Sequence, residues 1–187
     1  RASVSRTVNM MEAVLSSNLL KTGKLDLNRE EFDLVELLTQ LCEEQSNLAR
    51  GHKIQLDVPF KELIVNLDKK FVTIILTNLL SNAVKFTDSE KGIVTIKLSH
   101  TLDNMTLVVS DNGVGIPKDE LPKLFTRFFR ASTSSGIPGS GVGLSLVHEL
   151  VNLHKGRILV DSDVGQGCRF TLSLPQDFSL EHEVANL

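Results

Sequence analysis

The stretch NLLSNAVKFT, at residues 78–87, closes a long segment of helical periodicity and carries polar residues on one side. Four of its residues are spaced so that they share one helix face, and the apolar opposite face must then pack against a sheet. These four are Asn78, Asn82, Lys85 and Phe86. An amide oxygen can coordinate Mg²⁺, an ammonium can neutralise phosphate, and a phenyl ring can lie against a purine. Taken alone, the stretch is equally compatible with a solvated helix face.

Two glycine-rich loops follow. The first, DNGVGI at 111–116, comes directly after an apolar strand. Gly113 and Gly115 would let a ligand approach the backbone, and Asp111 could accept a hydrogen bond from an exocyclic amine such as that of adenine. An ordinary Asp-Asn-Gly turn is the alternative interpretation.

The second glycine-rich loop, GSGVGLS at 139–145, opens a predicted helix. Backbone N–H groups and the helix dipole make such a start a site for anions. It is not a Walker A loop, because no Lys-Ser/Thr follows its last glycine, and the absence of a preceding strand argues against a dinucleotide fingerprint.

The segment FTRFFR, at 125–130, lies between the two loops and precedes a Ser-, Gly-, Thr- and Pro-rich stretch at 130–141, which predicts a mobile lid. Its three phenylalanines, Phe125, Phe128 and Phe129, are predicted to anchor one end of the lid in the core. Arg127 and Arg130 could turn toward phosphate. For Arg127 we favour the alternative, a solvated arginine.

Composition limits the classes of function. The chain has 187 residues, 41% of them hydrophobic, and a formal net charge of -3, which predicts one good-sized domain and argues against nucleic-acid binding. No run of about 18 apolar residues predicts a membrane span. Cys42 and Cys168 lack metal-ligand spacing and are interpreted as reduced thiols of a cytosolic protein. Because residue 1 is not Met, we expect a piece of a longer protein.

Apolar periodicity predicts interleaved helices and strands. A narrow heptad-like stripe at 1–22 (Val4, Val8, Met11, Leu15 and Leu19) indicates the end of a coiled coil or helical bundle. The other predicted helices lie at 34–50, 69–86 (N-capped by Asp68), 117–125 and 142–153, the strands at 31–33, 52–58, 93–99, 105–110, 157–162 and 168–174, and a disordered tail begins at Pro175. We predict an α+β fold, a two-layer α/β sandwich whose mixed, mostly antiparallel sheet is covered by helices on one face, plus the N-terminal helix.

In this order and separation, the motifs NxxxNAxKF, DxGxGI, FxRFFR and GxGxGL resemble the N, G1, F and G2 boxes of sensor histidine kinase catalytic domains. These domains belong to the superfamily that includes type II topoisomerases and Hsp90-type ATPases. The resemblance implies the Bergerat ATP-binding fold, with ATP and Mg²⁺ as cofactors. It implies a catalytic domain at 26–176, the end of the dimerisation and phosphoacceptor hairpin with its linker at 1–25, and a tail at 177–187.

The resemblance also implies roles for individual residues. Asn82 matches the Mg²⁺ ligand, Lys85 matches the position that meets the phosphates, Arg130 matches a cation of the lid, and Asp111 matches the carboxylate that recognises the adenine amino group. Hydrolytic relatives have a Glu in place of Asn78, and an amide cannot take a proton from water, so phosphoryl transfer to another acceptor is expected. The other nucleotide-binding positions that it implies are Phe86, Gly113, Gly115, Ile116, Phe125, Gly139, Gly141, Val142, Gly143 and Leu144.

The acceptor is expected to be a histidine outside this chain. His148-Glu-Leu imitates the start of the phosphoacceptor motif, but Val151 and Asn152 follow where that motif needs Arg-Thr-Pro, so His148 is interpreted as structural. His154 is interpreted in the same way. The expected partners are ATP and ADP, the hairpin of the same protein, a response regulator receiver domain and a second copy in the full-length homodimer. We expect neither nucleic acid nor membrane contact by this chain, and a cytoplasmic location with or without an anchor elsewhere.

Three rival functions stay open. A hydrolytic ATPase of the same superfamily is disfavoured by Asn78 and by the hairpin-like helix at 1–22. A degenerate nucleotide-binding scaffold is disfavoured by the intact motifs. A protein-serine kinase of the anti-sigma type shares the fold and the site, and the N-terminal helix again favours the histidine kinase.

Overall fold

The computed structural model of the chain describes residues 26–49 and 51–178. The predicted N-terminal helix at 1–22 and residues 179–187 of the predicted tail lie outside this part. The helices are α1 (Leu34–Leu48), α2 (Lys69–Lys85) and α3 (Gly143–Leu153), and the strands are β1 (Glu30–Asp33), β2 (Lys53–Asp57), β3 (Ile64–Leu67), β4 (Ile93–His100), β5 (Asn104–Asp111), β6 (Arg157–Ser162) and β7 (Cys168–Pro175). None of the described helices is long and apolar enough to cross a membrane.

The main sheet has five strands in the order β2-β4-β5-β7-β6. β2 runs parallel to β4, and the other three neighbouring pairs are antiparallel. A separate two-stranded antiparallel sheet joins β1 to β3. The mixed, mostly antiparallel sheet of the predicted α/β sandwich is therefore confirmed.

One face of the sheet forms the core. On β4, Val94, Ile96 and Leu98 are buried, whereas Lys97 between them is exposed. The same alternation on β5 buries Met105, Leu107 and Val109. These side chains meet the apolar faces of the helices, and each fully buried one stabilises the fold by about 1.5–3 kcal/mol. The opposite face of the sheet is mostly polar, although Ile93 and Leu159 are exposed on it.

α2 places the first sequence motif, and its start is fixed by Asp68. The Oδ1 atom of Asp68 accepts the N–H of Phe71 at 3.0 Å, which caps the helix as predicted. Its Oδ2 atom accepts the N–H of Asn28 at 2.9 Å. One buried carboxylate therefore both starts α2 and holds the chain that leads into β1.

Two local predictions were wrong, and one strand was missed. The predicted helix at 117–125 is only a 3-10 turn, Leu121–Lys123, because Pro122 has no N–H to donate within an α-helix. β3 was not predicted. The tail does not become disordered at Pro175, since Pro175 ends β7 and Phe178 is 3% exposed, with its N–H donating to the carbonyl of Leu102 at 2.9 Å.

The stability of the fold should depend on pH through His154. Its ring is fully buried at the end of α3, where Nδ1–H donates to the carbonyl of Leu150 at 2.7 Å and Nε2 has no partner among the described residues. Burial lowers the pKa of His154 below its ordinary value. The unfolded chain therefore takes up this proton at a higher pH than the folded chain, and stability falls as the pH drops below about 6.5.

We expect urea unfolding between pH 7 and pH 5 to show this loss, with a slope of up to about 1.4 kcal/mol per pH unit from this group. His154→Asn, whose amide can occupy the position of Nδ1–H, should be less stable at pH 7 but should have a shallower slope. His100→Gln, at an exposed residue whose ring contacts those of Phe60 and Phe178, is the matched control. Equal slopes for His154→Asn and the wild type would contradict this assignment.

Candidate nucleotide-binding site

The C-terminal half of α2 presents the polar residues of the first motif at different depths. Asn78 is only 6% exposed, and its Nδ2 donates to the carbonyl of Ile74 at 3.0 Å. Asn82, one turn later, is half-buried, and its side-chain amide makes no hydrogen bond to any residue in 26–49 or 51–178. Asn82 is thus the amide that is available to an external ligand, whereas Asn78 is partly committed to its own helix.

Lys85 and the second glycine-rich loop come together. The Nζ atom of Lys85 lies 5.1 Å from the centre of the Phe86 ring. A Cβ atom placed on Gly139 would approach Nζ to 2.7 Å, so the loop passes directly over this ammonium. Burial and, secondarily, the positive charge of Arg130 lower the pKa of Lys85. Two cations that repel each other beside a glycine loop form a site that an anion would stabilise.

The start of α3 contributes unused N–H groups to the same region. α1 and α2 are each capped by an aspartate, Asp33 and Asp68. The N-cap residue of α3 is Val142, which makes no side-chain cap. The first N–H groups of this helix therefore have no side-chain cap and are available to a bound anion.

The predicted lid segment is held at several points. The Arg130 guanidinium donates to the carbonyl of Ser134 at 3.0 Å and also to that of Ile137. The Thr133 hydroxyl donates to the carbonyl of Gly115 at 2.7 Å, which ties the segment to the first glycine-rich loop. Arg130 therefore organises the backbone of the lid while its charge reaches Lys85.

The first glycine-rich loop is pressed against the end of α2. A Cβ atom on Gly113 would overlap the carbonyl oxygen of Phe86, and this oxygen accepts the N–H of Val114 at 3.1 Å. Oδ1 of Asp111 accepts the N–H groups of Gly113 and Cys168 at 2.9 and 3.2 Å. Burial raises the pKa of Asp111, and the two hydrogen bonds act in the opposite direction. The carboxylate is thus half-buried, and two N–H donors fix its orientation.

The end of α2 and the first glycine-rich loop form two walls of the site. The turn between β6 and β7 forms a third wall, which the sequence motifs did not indicate. Gly165 donates its N–H to the carbonyl of Val114 at 2.8 Å, and Cβ atoms on Gly115 and Gly167 would overlap backbone carbonyl oxygens across the contact. The turn and the loop border a cavity of about 200 Å³, which Asp111 lines. The remaining lining residues are Ser110, Asp161, Ser162, Asp163, Gln166, Gly167, Cys168 and Arg169. The sequence DVGQGC between two apolar strands indicates the turn itself, but not the loop against which it packs.

The FTRFFR segment differs from its prediction in two places. Arg127 is neither solvated nor directed at phosphate: its Nη2 and Nε lie 2.7 and 3.2 Å from Oε1 of Glu149 on α3. Phe128 does not anchor the lid, because the residue is 75% exposed, and its backbone has a φ of 63°. The Phe125 ring does pack as an anchor, stacked on the ring of His148 at 5.2 Å.

A larger groove of about 440 Å³ lies away from all these motifs, between α1 and β2. It is lined by Thr39, Cys42, Glu43, Ser46, Asn47, Ile54 and Leu56. It contains no cation and none of the predicted site residues. We therefore place the candidate site around Asp111, which lines the smaller cavity, and around Lys85 at the end of α2, which contacts the first glycine-rich loop through the Phe86 carbonyl.

Mg²⁺ fits this site only as part of a complex with phosphate. In residues 26–49 and 51–178, no group of three or more His, Cys, Asp or Glu side chains could hold a metal ion. The unbonded amide of Asn82 offers one oxygen ligand on the same helix face as Lys85. Mg²⁺ commonly takes one or two protein ligands and completes its shell with phosphate oxygens and water, so the donor set is suitable.

Comparisons with known proteins agree with this geometry. Residues 67–177 match the family described as histidine kinase-, DNA gyrase B-, and HSP90-like ATPase. The circadian input-output histidine kinase CikA of Synechococcus elongatus is 36% identical over 180 residues, which cover 93% of this chain and 24% of that protein.

Two solved structures are similar as well. The full-length histidine kinase ShkA, in complex with AMPPNP, has a TM-score of 0.78 at 28% identity and covers 95% of this chain and 37% of its own. The mycobacterial sensor histidine kinase MprB has a TM-score of 0.72 at 28% identity over 79% of this chain and 99% of its own. This chain thus spans about a quarter of the length of CikA. It is a histidine-kinase-type member of the family of histidine kinase-, DNA gyrase B- and HSP90-like ATPases.

Proposed function

We propose that this chain is the ATP-binding catalytic portion of a two-component sensor histidine kinase, and that it transfers the γ-phosphoryl group of ATP to a histidine outside the chain. One observation carries the proposal. A carboxylate oriented by two N–H groups begins the glycine-rich loop that packs on the end of α2, and two cations meet a second glycine-rich loop at that same helix end. This arrangement suits a ligand with an amine at one end and phosphates at the other. The relative ShkA was solved with AMPPNP, an analogue of ATP.

Each wall then has a distinct task. The Asp111 carboxylate accepts a hydrogen bond from the adenine amino group, and the loop at 111–116 lets the adenine ring approach the backbone. Lys85, Arg130 and the start of α3 neutralise the phosphates. Asn82 would hold Mg²⁺, which supplies charge neutralisation at the β- and γ-phosphates when it is bound. The chain's own contribution to transfer is therefore positioning and electrostatic stabilisation of the transferred group.

Asn78 supports transfer over hydrolysis. A hydrolytic site needs a general base to activate water, and an amide cannot accept a proton at neutral pH. Asn78 is also buried, with its Nδ2 donating to the carbonyl of Ile74. Asn78 therefore does not activate water for attack on bound ATP. The attacking nucleophile is instead the imidazole of an acceptor histidine.

The proposal extends to partners that lie outside the chain. The acceptor is the phosphoacceptor hairpin of the same protein, of which residues 1–25 form the end, and the next acceptor is a response regulator receiver domain. The full-length protein acts as a homodimer, and this chain lies in the cytoplasm, with or without a membrane anchor elsewhere in the protein. His148 is not the acceptor, because its ring stacks on Phe125 and its Nδ1 lies 3.3 Å from Nδ2 of Asn152 within α3.

Incubation with γ-labelled ATP tests the proposal. The chain alone should bind Mg·ATP without acquiring acid-labile label, and it should label a separately supplied hairpin domain from the same protein. A hairpin whose acceptor histidine is replaced by Gln is the matched control and should stay unlabelled. Proven ATP binding without transfer to the cognate hairpin would refute the kinase assignment. Steady-state release of phosphate that Asn82→Ala abolishes would support the hydrolytic ATPase in its place.

A further inference from the structure

Ser162, the last residue of β6, occupies a buried junction between three segments. The residue is 5% exposed, although its side chain is polar. Its Oγ accepts the N–H of Ile116 at 2.9 Å and donates to the carbonyl of Gly167 at 2.6 Å. Because the single hydroxyl proton is used by Gly167, the Cys168 thiol, with Sγ at 3.3 Å from Oγ, is the donor in that contact. The hydroxyl is fully satisfied.

The carbonyl that Ser162 binds belongs to the peptide that orients Asp111. The Gly167 carbonyl and the Cys168 N–H form one planar peptide unit, so fixing the first also fixes the second. This N–H donates to Oδ1 of Asp111 at 3.2 Å. The hydrogen bonds therefore run from Ile116, at the end of the first glycine-rich loop, through Ser162 and the 167–168 peptide to Asp111, at the start of that loop. Consecutive bonds of this kind polarise one another.

We propose that Ser162 is a positioning residue for adenine recognition: its hydroxyl holds the 167–168 peptide so that the Cys168 N–H directs the Asp111 carboxylate toward the amino group of the base. The inference rests on the proposed ATP site. It assigns to β6 and β7 a part in base selection beyond that of the four sequence motifs.

The fold does not need the hydroxyl to keep the turn in place. Gly165 donates its N–H to the carbonyl of Val114 at 2.8 Å, and Lys118 pairs with Asp163 at 3.1 Å. β6 and β7 also stay paired from Arg157 and Ser173 to Ser162 and Cys168. Removal of the hydroxyl should therefore loosen the carboxylate more than the fold.

Ser162→Ala tests this in the complete 187-residue chain. Calorimetry would compare its affinity for ATP with that for purine riboside triphosphate, which lacks the 6-amino group. We expect ATP binding to weaken about tenfold and analogue binding to change less than twofold, because only ATP uses the orientation of Asp111. Ser173→Ala, on β7 away from the turn, is the matched control and should change neither affinity. Amide exchange at Cys168 should also become faster in Ser162→Ala.

Equal weakening for both nucleotides would show a structural role and overturn the inference, as would unchanged ATP binding by Ser162→Ala. If the wild type itself does not prefer ATP over the analogue, the adenine role of Asp111 in the proposed function fails instead. Should Ser162→Ala not fold, S162C under reducing conditions keeps the side-chain shape but donates a much weaker hydrogen bond, and the same selective loss of ATP affinity is expected.

Discussion

Replacing Asp111 by asparagine is expected to weaken ATP binding by about 100-fold while leaving the fold intact. The carboxylate lies at the end of β5, where its Oδ1 already accepts the N–H groups of Gly113 and Cys168. Under the proposed function, its remaining acceptor capacity receives the adenine amino group. Asparagine has nearly the same shape, so the substitution changes hydrogen bonding far more than packing.

Neither orientation of the new amide satisfies both sets of donors. If the amide oxygen takes the place of Oδ1, the amide NH₂ faces the amino group of adenine, and two donors oppose each other. If the amide is flipped, its NH₂ opposes the N–H groups of Gly113 and Cys168. A buried donor without an acceptor costs about 1–3 kcal/mol, and one such cost arises in either orientation in addition to the lost bond.

Calorimetric titration with ATP and ITP measures this effect. ITP carries a 6-oxo acceptor in place of the amine, so Asp111→Asn should lower the ratio of ATP to ITP affinity and not merely both affinities. Asp103→Asn, an exposed carboxylate in the turn between β4 and β5, is the matched control for the change in charge. Loss of ATP affinity with an unchanged ratio would contradict the role of Asp111 at the base.

The same carboxylate sets a pH limit on binding. Burial raises the pKa of Asp111 above the ordinary carboxyl value. As the pH falls, Asp111 therefore becomes protonated at a higher pH than an ordinary carboxylate does. Protonation replaces an acceptor with a donor, and wild-type ATP binding should therefore weaken earlier on acidification than it would with an unperturbed carboxylate. Asp111→Asn lacks this group and should lack the corresponding limb of the pH profile.

The parts of the structure that could be predicted from sequence are those in which short-range patterns decide. The cap at Asp68, the apolar alternation of β4 and the hairpins each depend on residues a few positions apart. Pro122 was available to the same reasoning, yet the apolar residues around it suggested a helix that its missing N–H does not permit. Local sequence patterns were thus sufficient to predict the two layers of the sandwich and most of its helices and strands.

The third wall of the site could not be predicted, because it depends on contacts between distant positions. Ile116 meets Ser162 across 46 residues, and Asp111 meets Cys168 across 57. Arg127 likewise pairs with Glu149, 22 residues away, so the structure matches neither the solvated arginine nor the phosphate-directed arginine of the sequence analysis. No periodicity within one element encodes which turn packs on which loop, so these partners follow only from the assembled fold.

Asn82→Ala is expected to reduce phosphoryl transfer to the hairpin domain by at least about 1000-fold and to remove the dependence of ATP binding on Mg²⁺. The side chain is half-buried on α2 and makes no hydrogen bond within 26–49 or 51–178, so its loss leaves no structural partner unsatisfied. Alanine is also the better helix former. The melting temperature should therefore be unchanged or higher, which separates the functional loss from unfolding.

The Mg²⁺ dependence distinguishes metal coordination from a direct hydrogen bond between Asn82 and phosphate. If the amide oxygen holds the ion, Asn82→Ala should bind ATP with similar affinity with and without Mg²⁺, and Asn82→Asp, which keeps an oxygen ligand, should retain part of the dependence. If the amide NH₂ only bonds a phosphate oxygen, Asn82→Ala should bind ATP more weakly under both conditions and keep the full response to Mg²⁺. Lys85→Met should show this second pattern, because its ammonium acts on phosphate directly. Asn152→Ala, an exposed asparagine on α3, should behave as the wild type, and full Mg²⁺ dependence in Asn82→Ala would rule out Asn82 as the ligand.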